Sequence, residues 1–497
     1  MAGKYEAPRR RRRRRLNPNF VLTCLVLLAV LLFIVVRVAE GPRKPDNEME
    51  SIATSDATEE TKKGWFQKET EPPTEPPTEA PTTPTIVSTA KISATGDVLM
   101  HMPVVNTTKV SGGYDFTPIF QYLDDYSAKA DYAVANLETT LAGLDNGYAY
   151  SGYPCFNCPD EIAFDLQEAG FDMILTANNH CYDTRTVGLK RTVQTVRGLG
   201  LETLGTHASA DDTKYTVQEI NGIKVGMLCY SYATGDDYPD RASMNGILTS
   251  EDAKGLINYF DYDNLTGFYN EVSGYIDAME AQGAQAVVMY IHWGEEYQLQ
   301  ANTNQTTVAQ GLCDLGIDVI VGGHPHVVQP MDLLTSTLDP EHKTVCLYSM
   351  GNAISNQRLG NISTVKTAHT EDGVMFSFTF CKYSDGSVHL LSTDILPFWV
   401  HLDASKSPVS YLILPLDDNR SDQWQELFNI GDATFEKAMK SYNRTMDIVG
   451  DGLELCQNYL ENAGLMRDWE YLYAVNPDAA GEPPVFPSDV EEIPDAA

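Results

Sequence analysis

Hydrophobic residues in this chain gather in short runs that stop abruptly at polar residues. The runs are KISATGD (Lys91 to Asp97), DYAVANLE (Asp131 to Glu138), DMILTANNH (Asp172 to His180), AVVMYIHWGEEY (Ala286 to Tyr297) and IDVIVGGHPHVVQ (Ile317 to Gln329). A sixth, VCLYSMGNAISNQR (Val345 to Arg358), ends in Gly351, Asn352 and a polar turn. Short β-branched runs predict buried strands. Thr186 to Leu199, Tyr269 to Gln282 and Val308 to Leu315 read instead as helices lying between them. YTVQEI and KVGMLCYSY flank Asn221-Gly222, a hairpin signal. Alternating strands and helices imply a largely parallel sheet with helices outside. Val374 to Phe380, His389 to Leu396 and Tyr411 to Leu416 read as late antiparallel strands and suggest a second sheet. The expected fold class is α/β, two packed sheets flanked by helices.

The amino-terminal segment follows another pattern. Arg9 to Arg15 are seven consecutive arginines, and Phe20 to Val36 is a run of seventeen residues without charge. Extended through Arg37 to Ala39, the run reaches the ~20 residues that span a bilayer, with Arg37 able to snorkel. A cleaved signal peptide is the competing reading, with Ala39-Glu40-Gly41 as its site, but the run exceeds a usual signal core. The expectation is a basic cytoplasmic tail (1–19), one transmembrane helix (20–39) and an outward-facing body, by the positive-inside rule. Residues 40–88 form a linker whose TEPPTEPPTEAPTTPT stretch is extended, spanning on the order of 50 Å at ~3.1 Å per residue.

Charge narrows the partners. The 497 residues carry a formal charge of −34, and residues 1–44 alone contribute eleven Lys or Arg against Glu6 and Glu40, so the rest stands near −34 − 9 = −43. So acidic a body repels a phosphate backbone, which argues against nucleic acid as a partner despite the arginine run. Of nine cysteines, Cys229, Cys313, Cys346 and Cys381 sit in apolar contexts and read as small core residues. Cys155 and Cys158 form a lone CxxC, weak as a zinc signal; a local disulfide or two free thiols are the readings it favours.

In open α/β sheets ligands gather beyond the carboxyl ends of strands. The ends here supply Asp97, Glu138, Asn179, His180, His292, His324 and His326, among them the carboxylate and imidazole donors that one or two divalent cations require. Singly, each histidine is more often structural. As a coordinated set they point to a metal or anion site.

GDVLMH, ANLETTL, TANNHCYD, IHWGEEY, GGHPHVVQ, YSMGNAISNQR and ILPFWV resemble, in order and spacing, the CapA family of capsule biosynthesis proteins, named for poly-γ-glutamate synthesis. That family is similar in turn to calcineurin-like metallophosphoesterases. The match runs over roughly 89–416, with 417–497 a helical and acidic extension, and it implies a four-layer α/β/β/α sandwich. It implies Asp97 as the first-strand metal ligand, Glu138 in place of a bridging aspartate, and Asn179 as a ligand beside His180, which protonates a leaving oxygen or binds phosphate. His292, His324 and His326 resemble the remaining metal histidines, for Mn, Zn or Fe. One departure stands out: Leu99 occupies the place of a ligand histidine, with His101 two residues on.

Glu296 joins His180 as a candidate catalytic group, with a solvated loop carboxylate as its plain alternative. Asn352 and Arg358 are candidate substrate contacts, Arg358 as a bidentate partner for an anion or else a surface salt bridge. Asp183 either orients His180 or, the safer reading, caps the following helix. Trp293 and Tyr297 pack around the histidine loop. Beyond 417, QWQELFNIGDATFEKAMKSYNRTMDI and GLELCQNYLENAG read as amphipathic helices. Two functions stay open: a membrane-anchored, extracytoplasmic metal-dependent hydrolase of an envelope polymer, or a polymer-binding, export or tethering component for an anionic polymer such as poly-γ-glutamate, working with other membrane-bound proteins.

Overall fold

The strand Ile86–Val98 organises the architecture, pairing with three neighbours along its length. In this computed structural model, residues 83–145, 147–233, 241–361, 365–475 and 480–483 are described. The basic tail, the apolar anchor and the linker up to residue 82 lie outside them, as do 484–497. Among the described residues no helix is long and apolar enough to cross a membrane.

The first sheet has eight strands. Its main path runs Ser410–Pro415, Val388–Asp403, Asp372–Tyr383, Ile86–Val98, Tyr132–Leu137, Met173–Leu175 and Glu202–Leu204, with Asn352–Ile354 added beside the end of Ile86–Val98. The three late strands are antiparallel, as expected, but they do not form the second sheet. They extend the first one, because Asp372–Tyr383 pairs directly with Ile86–Val98. The second sheet instead collects the later parallel strands: Tyr259–Phe260, Ile223–Tyr232, Ala286–His292, Val319–Gly323 and Lys343–Leu347, with Met331–Thr335 and Thr216–Ile220 antiparallel beside them. The Asn221-Gly222 hairpin forms with both residues at positive φ, 51° and 81°, as a tight right-twisted connection demands.

Alternation along each strand shows what it separates. In Ala286–His292, Ala286, Val288 and Tyr290 join a core shared with Ile92, Ala94 and Val134 of the first sheet. Val287, Met289 and Ile291 face outward under the helices Leu265–Ala281 and Thr303–Asp314. On the far side, Ala133, Ala135 and Leu137 pack outward with Ile162 and Leu166 of the helix Glu161–Glu168. Two sheets thus face each other with helices on both outer faces.

The two amphipathic helices expected after 417 are joined, from Asp432 on, in a single 44-residue helix, Asp432–Val475, which a short one, Trp424–Leu427, precedes. Its glycines do not break it. Gly452 lets it lie directly on the Met331–Thr335 strand, where a Cβ would sit 1.9 Å from the Met331 carbonyl oxygen. Val449, Leu453 and Cys456 from this helix enter the core between the sheets, and Arg444 and Ser441 bond the buried Asp372 carboxylate. The helix therefore closes the body.

Candidate metal centre

A backbone irregularity aims the first ligand. Ala90, Ile92 and Ala94 face the second sheet; strict alternation would next turn Gly96 inward and Asp97 outward. The register slips between Thr95, paired with Ala135, and Asp97, paired with Asn136. This β-bulge re-aims the chain, so Asp97 points between the sheets beside Asn136, whose Nδ2 donates to Asp97 Oδ1 at 2.7 Å. Gly96 is required there, because a Cβ would lie 1.9 Å from the Gly351 carbonyl oxygen. Glu138 follows Asn136 by two positions and so shares its face. From the opposite sheet, His292 ends its strand, and His324 and His326 follow Val319–Gly323. Gly323 makes room: its Cβ would stand 3.0 Å from Asp97 Oδ1.

The donors converge as the sequence implied. His292 Nε2 lies 3.0 Å from Asn179 Oδ1, 3.2 Å from His324 Nδ1 and 3.5 Å from Glu138 Oε1. His326 Nδ1 lies 3.0 Å from Asp97 Oδ2, and its Nε2 3.8 Å from Glu138 Oε1. Two groups result, Glu138 with His292 and His324, and Asp97 with Glu138 and His326. Glu138 belongs to both. Its two oxygens are buried with no hydrogen-bond partner among the described residues, an arrangement that costs free energy without a cation. A single imidazole N–H cannot satisfy the three neighbours that crowd His292 Nε2. The residues present thus fit a divalent centre bridged by one carboxylate.

Electrostatics and strain agree with a site built at a cost. Burial pushes Asp97 up, but the hydrogen bond and charge of His326, the charge of His292 and the Asn136 bond together hold it below the usual range. Burial depresses His326, yet Glu138, Asp97 and Glu296 bring it up to about 9. His324 is held down by burial and by the charges of His292, His326 and His180. His324, His326 and Tyr297 adopt left-handed φ of 99°, 57° and 68°, each costing of order 1–3 kcal/mol and typical of functional sites.

His180 lies beside this cluster, with Nδ1 2.8 Å from Asp183 Oδ2. Asp183 is therefore the orienting residue, not the helix cap expected of it; the cap position of Arg185–Gly198 falls to Thr184, which makes no side-chain cap bond. The same carboxylate accepts from Phe156 N at 2.6 Å and from Asn245 Nδ2 at 3.1 Å. A carboxylate so fully bonded holds the proton of His180 on Nδ1 and leaves Nε2 as the working nitrogen.

Other expected residues sit elsewhere. Glu296 is exposed on the loop after His292, near enough to His326 to raise it. Asn352 is fully buried, and its Nδ2 donates to the carbonyls of His326 and Thr370 and to Gln357 Oε1. Arg358 pairs with Glu371 and donates to the Val400 carbonyl, so its guanidinium is committed inside the protein, where the sequence suggested an anion clamp. Leu99 is buried at 1% exposure, and His101 packs on Phe156 with Nδ1 near the Leu99 carbonyl and the Asn356 N–H, outside both donor groups. Trp293 is buried, its Nε1 donating to the Tyr348 carbonyl. Cys155 and Cys158 are free thiols. Sequence reasoning missed Asn136, Tyr232 and Asn245. Asn136 was detectable, as a polar residue two positions before Glu138 in a buried strand; Asn245 looked like an ordinary Asn-Gly turn.

A family model described as bacterial capsule synthesis protein PGA_cap matches residues 91–357, more than half of the chain. The PGA biosynthesis protein CapA of Bacillus subtilis (strain 168) is 25% identical over 332 residues, 66% of this chain and 78% of that protein. The capsule biosynthesis protein CapA of Bacillus anthracis is 26% identical over 265 residues, 53% of this chain and 59% of that protein. Among solved structures, the calcineurin-like phosphoesterase YfkN of Bacillus subtilis aligns over 62% of this chain and 90% of its own, at 16% identity and a TM-score of 0.34. Purple acid phosphatase PPD1 of yellow lupin aligns over 62% of this chain and 53% of its own, at 10% identity and a TM-score of 0.27.

Proposed function

This chain belongs to the bacterial capsule synthesis protein PGA_cap family, and from that premise we propose that it is a membrane-anchored, extracytoplasmic protein of capsule or related envelope-polymer biosynthesis with a metal-dependent, phosphoesterase-like hydrolase cleft. The carrying observation is Glu138, a buried carboxylate that two groups of donors share and whose oxygens have no hydrogen-bond partner among the described residues. Asp97, Glu138, Asn179, His292, His324 and His326 would hold the cations. Bound divalent ions supply positive charge for a developing oxyanion and acidify a water at neutral pH.

The chain's own residues do the rest. Glu138 and Asp97 fix the spacing of the centre, since both are anchored on strands of one sheet, while the histidines close it from the other. His180, held through Nδ1 by Asp183, presents Nε2 to protonate a leaving oxygen. Glu296 at the rim orients polar groups of the substrate or takes up a proton there. The anionic polymer, poly-γ-glutamate or another, meets the acidic body only at the cations.

A non-catalytic role in binding, exporting or tethering the polymer is the second reading. Leu99 favours it, because an apolar side chain stands where the resemblance calls for a histidine, which leaves the Asp97 group with three protein donors. Assay of the metal-loaded protein on phosphodiester, phosphomonoester and γ-glutamyl model substrates separates the two. Turnover that Asp97→Asn abolishes at unchanged folding supports the hydrolase; metal binding with no turnover on any of them supports the binding role.

A further inference from the structure

Both ring nitrogens of His324 have neighbours, and they differ in kind. Nδ1 lies 3.2 Å from His292 Nε2, inside the group that includes Glu138. Nε2 lies 3.2 Å from the hydroxyl of Tyr232, on the opposite side of the ring. An imidazole holds a cation through an unprotonated nitrogen, so the other nitrogen carries the proton and needs an acceptor. We propose that Tyr232 is a positioning residue for the metal centre: its hydroxyl accepts from His324 Nε2 and so keeps the Nδ1 lone pair aimed at the Glu138, His292 and His324 group. The inference rests on the metal reading above.

The surroundings of Tyr232 suit this task. It ends the Ile223–Tyr232 strand of the second sheet, adjacent to the strand carrying His292. Its ring meets the His324 ring at 4.9 Å between centroids and a tilt of 57°, and it meets Tyr262 at 6.4 Å. The Tyr262 hydroxyl in turn accepts from the Gly294 N–H at 3.2 Å, two residues past His292. That bond ties Tyr262, the ring beside Tyr232, to the loop that follows a metal histidine. His324 also needs such support, because its φ of 99° is strained and its backbone N–H reaches the Asp97 carboxylate at a long 3.3 Å. Among the described residues no hydrogen bond of Tyr232 reaches Asp97 or His326, so the Glu138, His292 and His324 group is the one it touches directly.

The test is a competitive zinc titration of the purified, chelator-treated full chain beside Tyr232→Phe, which keeps the ring on His324 and removes the acceptor. One equivalent should bind about 10- to 100-fold more weakly in the variant, the other as in the wild type, with the melting temperature of the metal-free protein unchanged. The visible spectrum of the cobalt-loaded variant should change for that equivalent alone. Two equivalents bound with wild-type affinity, or both weakened together with a lower metal-free melting temperature, would overturn the role of Tyr232. A wild-type chain that binds no metal would instead overturn the metal reading, and this inference with it.

Discussion

Gly323 shows how closely the centre is set at the scale of single residues. Its φ is not left-handed, so alanine is compatible with the backbone, but the added Cβ would stand 3.0 Å from Asp97 Oδ1 and 3.6 Å from His292 Nδ1. Gly323→Ala is expected to weaken metal binding by about tenfold by displacing Asp97, with a stability change below about 1 kcal/mol; metal titration and thermal melting check both. The convergence of these carboxylates and histidines was legible, because such residues at the ends of successive apolar runs meet where the strands end. The roles of Arg358 and Asp183 were not. Charge type alone does not tell whether a guanidinium faces a cleft or, as here, Glu371. The three-residue spacing of His180 and Asp183 suits a helix cap as well as an orienting pair.

Among the elements, the first strand and the long C-terminal helix decide the outcome. Gly96→Ala would drive a Cβ into the Gly351 carbonyl at 1.9 Å, removing the bulge that turns Asp97 inward. The expected cost is about 3 kcal/mol together with loss of metal, read by denaturant unfolding and metal analysis. The helix is docked through Asp372, whose carboxyl burial pushes up to about 6, although Arg444 and Ser441 pull it down. A carboxyl raised in the folded state contributes stability that is complete below its unfolded value near 3.8 and is lost as pH rises through about 6. Removing Arg444 takes away the partner that offsets this loss. Arg444→Ala is therefore expected to cost about 3 kcal/mol at pH 8 and clearly less at pH 5, measured as the difference in unfolding free energy at the two values. The strands were legible from their apolar runs, whereas the membership of the late strands in the first sheet was not. Sheet partners are chosen by long-range pairing, here Asp372–Tyr383 against Ile86–Val98, which alternation within one strand does not encode. The single 44-residue helix was hidden by Gly450 and Gly452, which read as a break until the close approach to Met331 accounts for Gly452.

At the scale of the whole molecule, the chain joins a basic, apolar amino-terminal segment to an acidic body through a proline-rich stretch. The account predicts that the full chain fractionates with membranes and that removal of residues 1–44 releases it; a full chain found only in the soluble fraction would contradict the anchor. If the two sheets meet to hold metal, the purified protein carries it. Metal held at a thousandfold excess over its dissociation constant also adds about 4 kcal/mol of stability, so chelation should lower the melting temperature of the wild type and leave a metal-free variant unmoved. The decisive measurement is elemental analysis of the purified protein beside an Asp97→Asn, His324→Ala double variant. Close to two equivalents of a divalent transition metal in the wild type, and little in the variant, is the predicted result. No bound metal in the wild type, even after reconstitution with manganese, zinc or iron, would contradict the account.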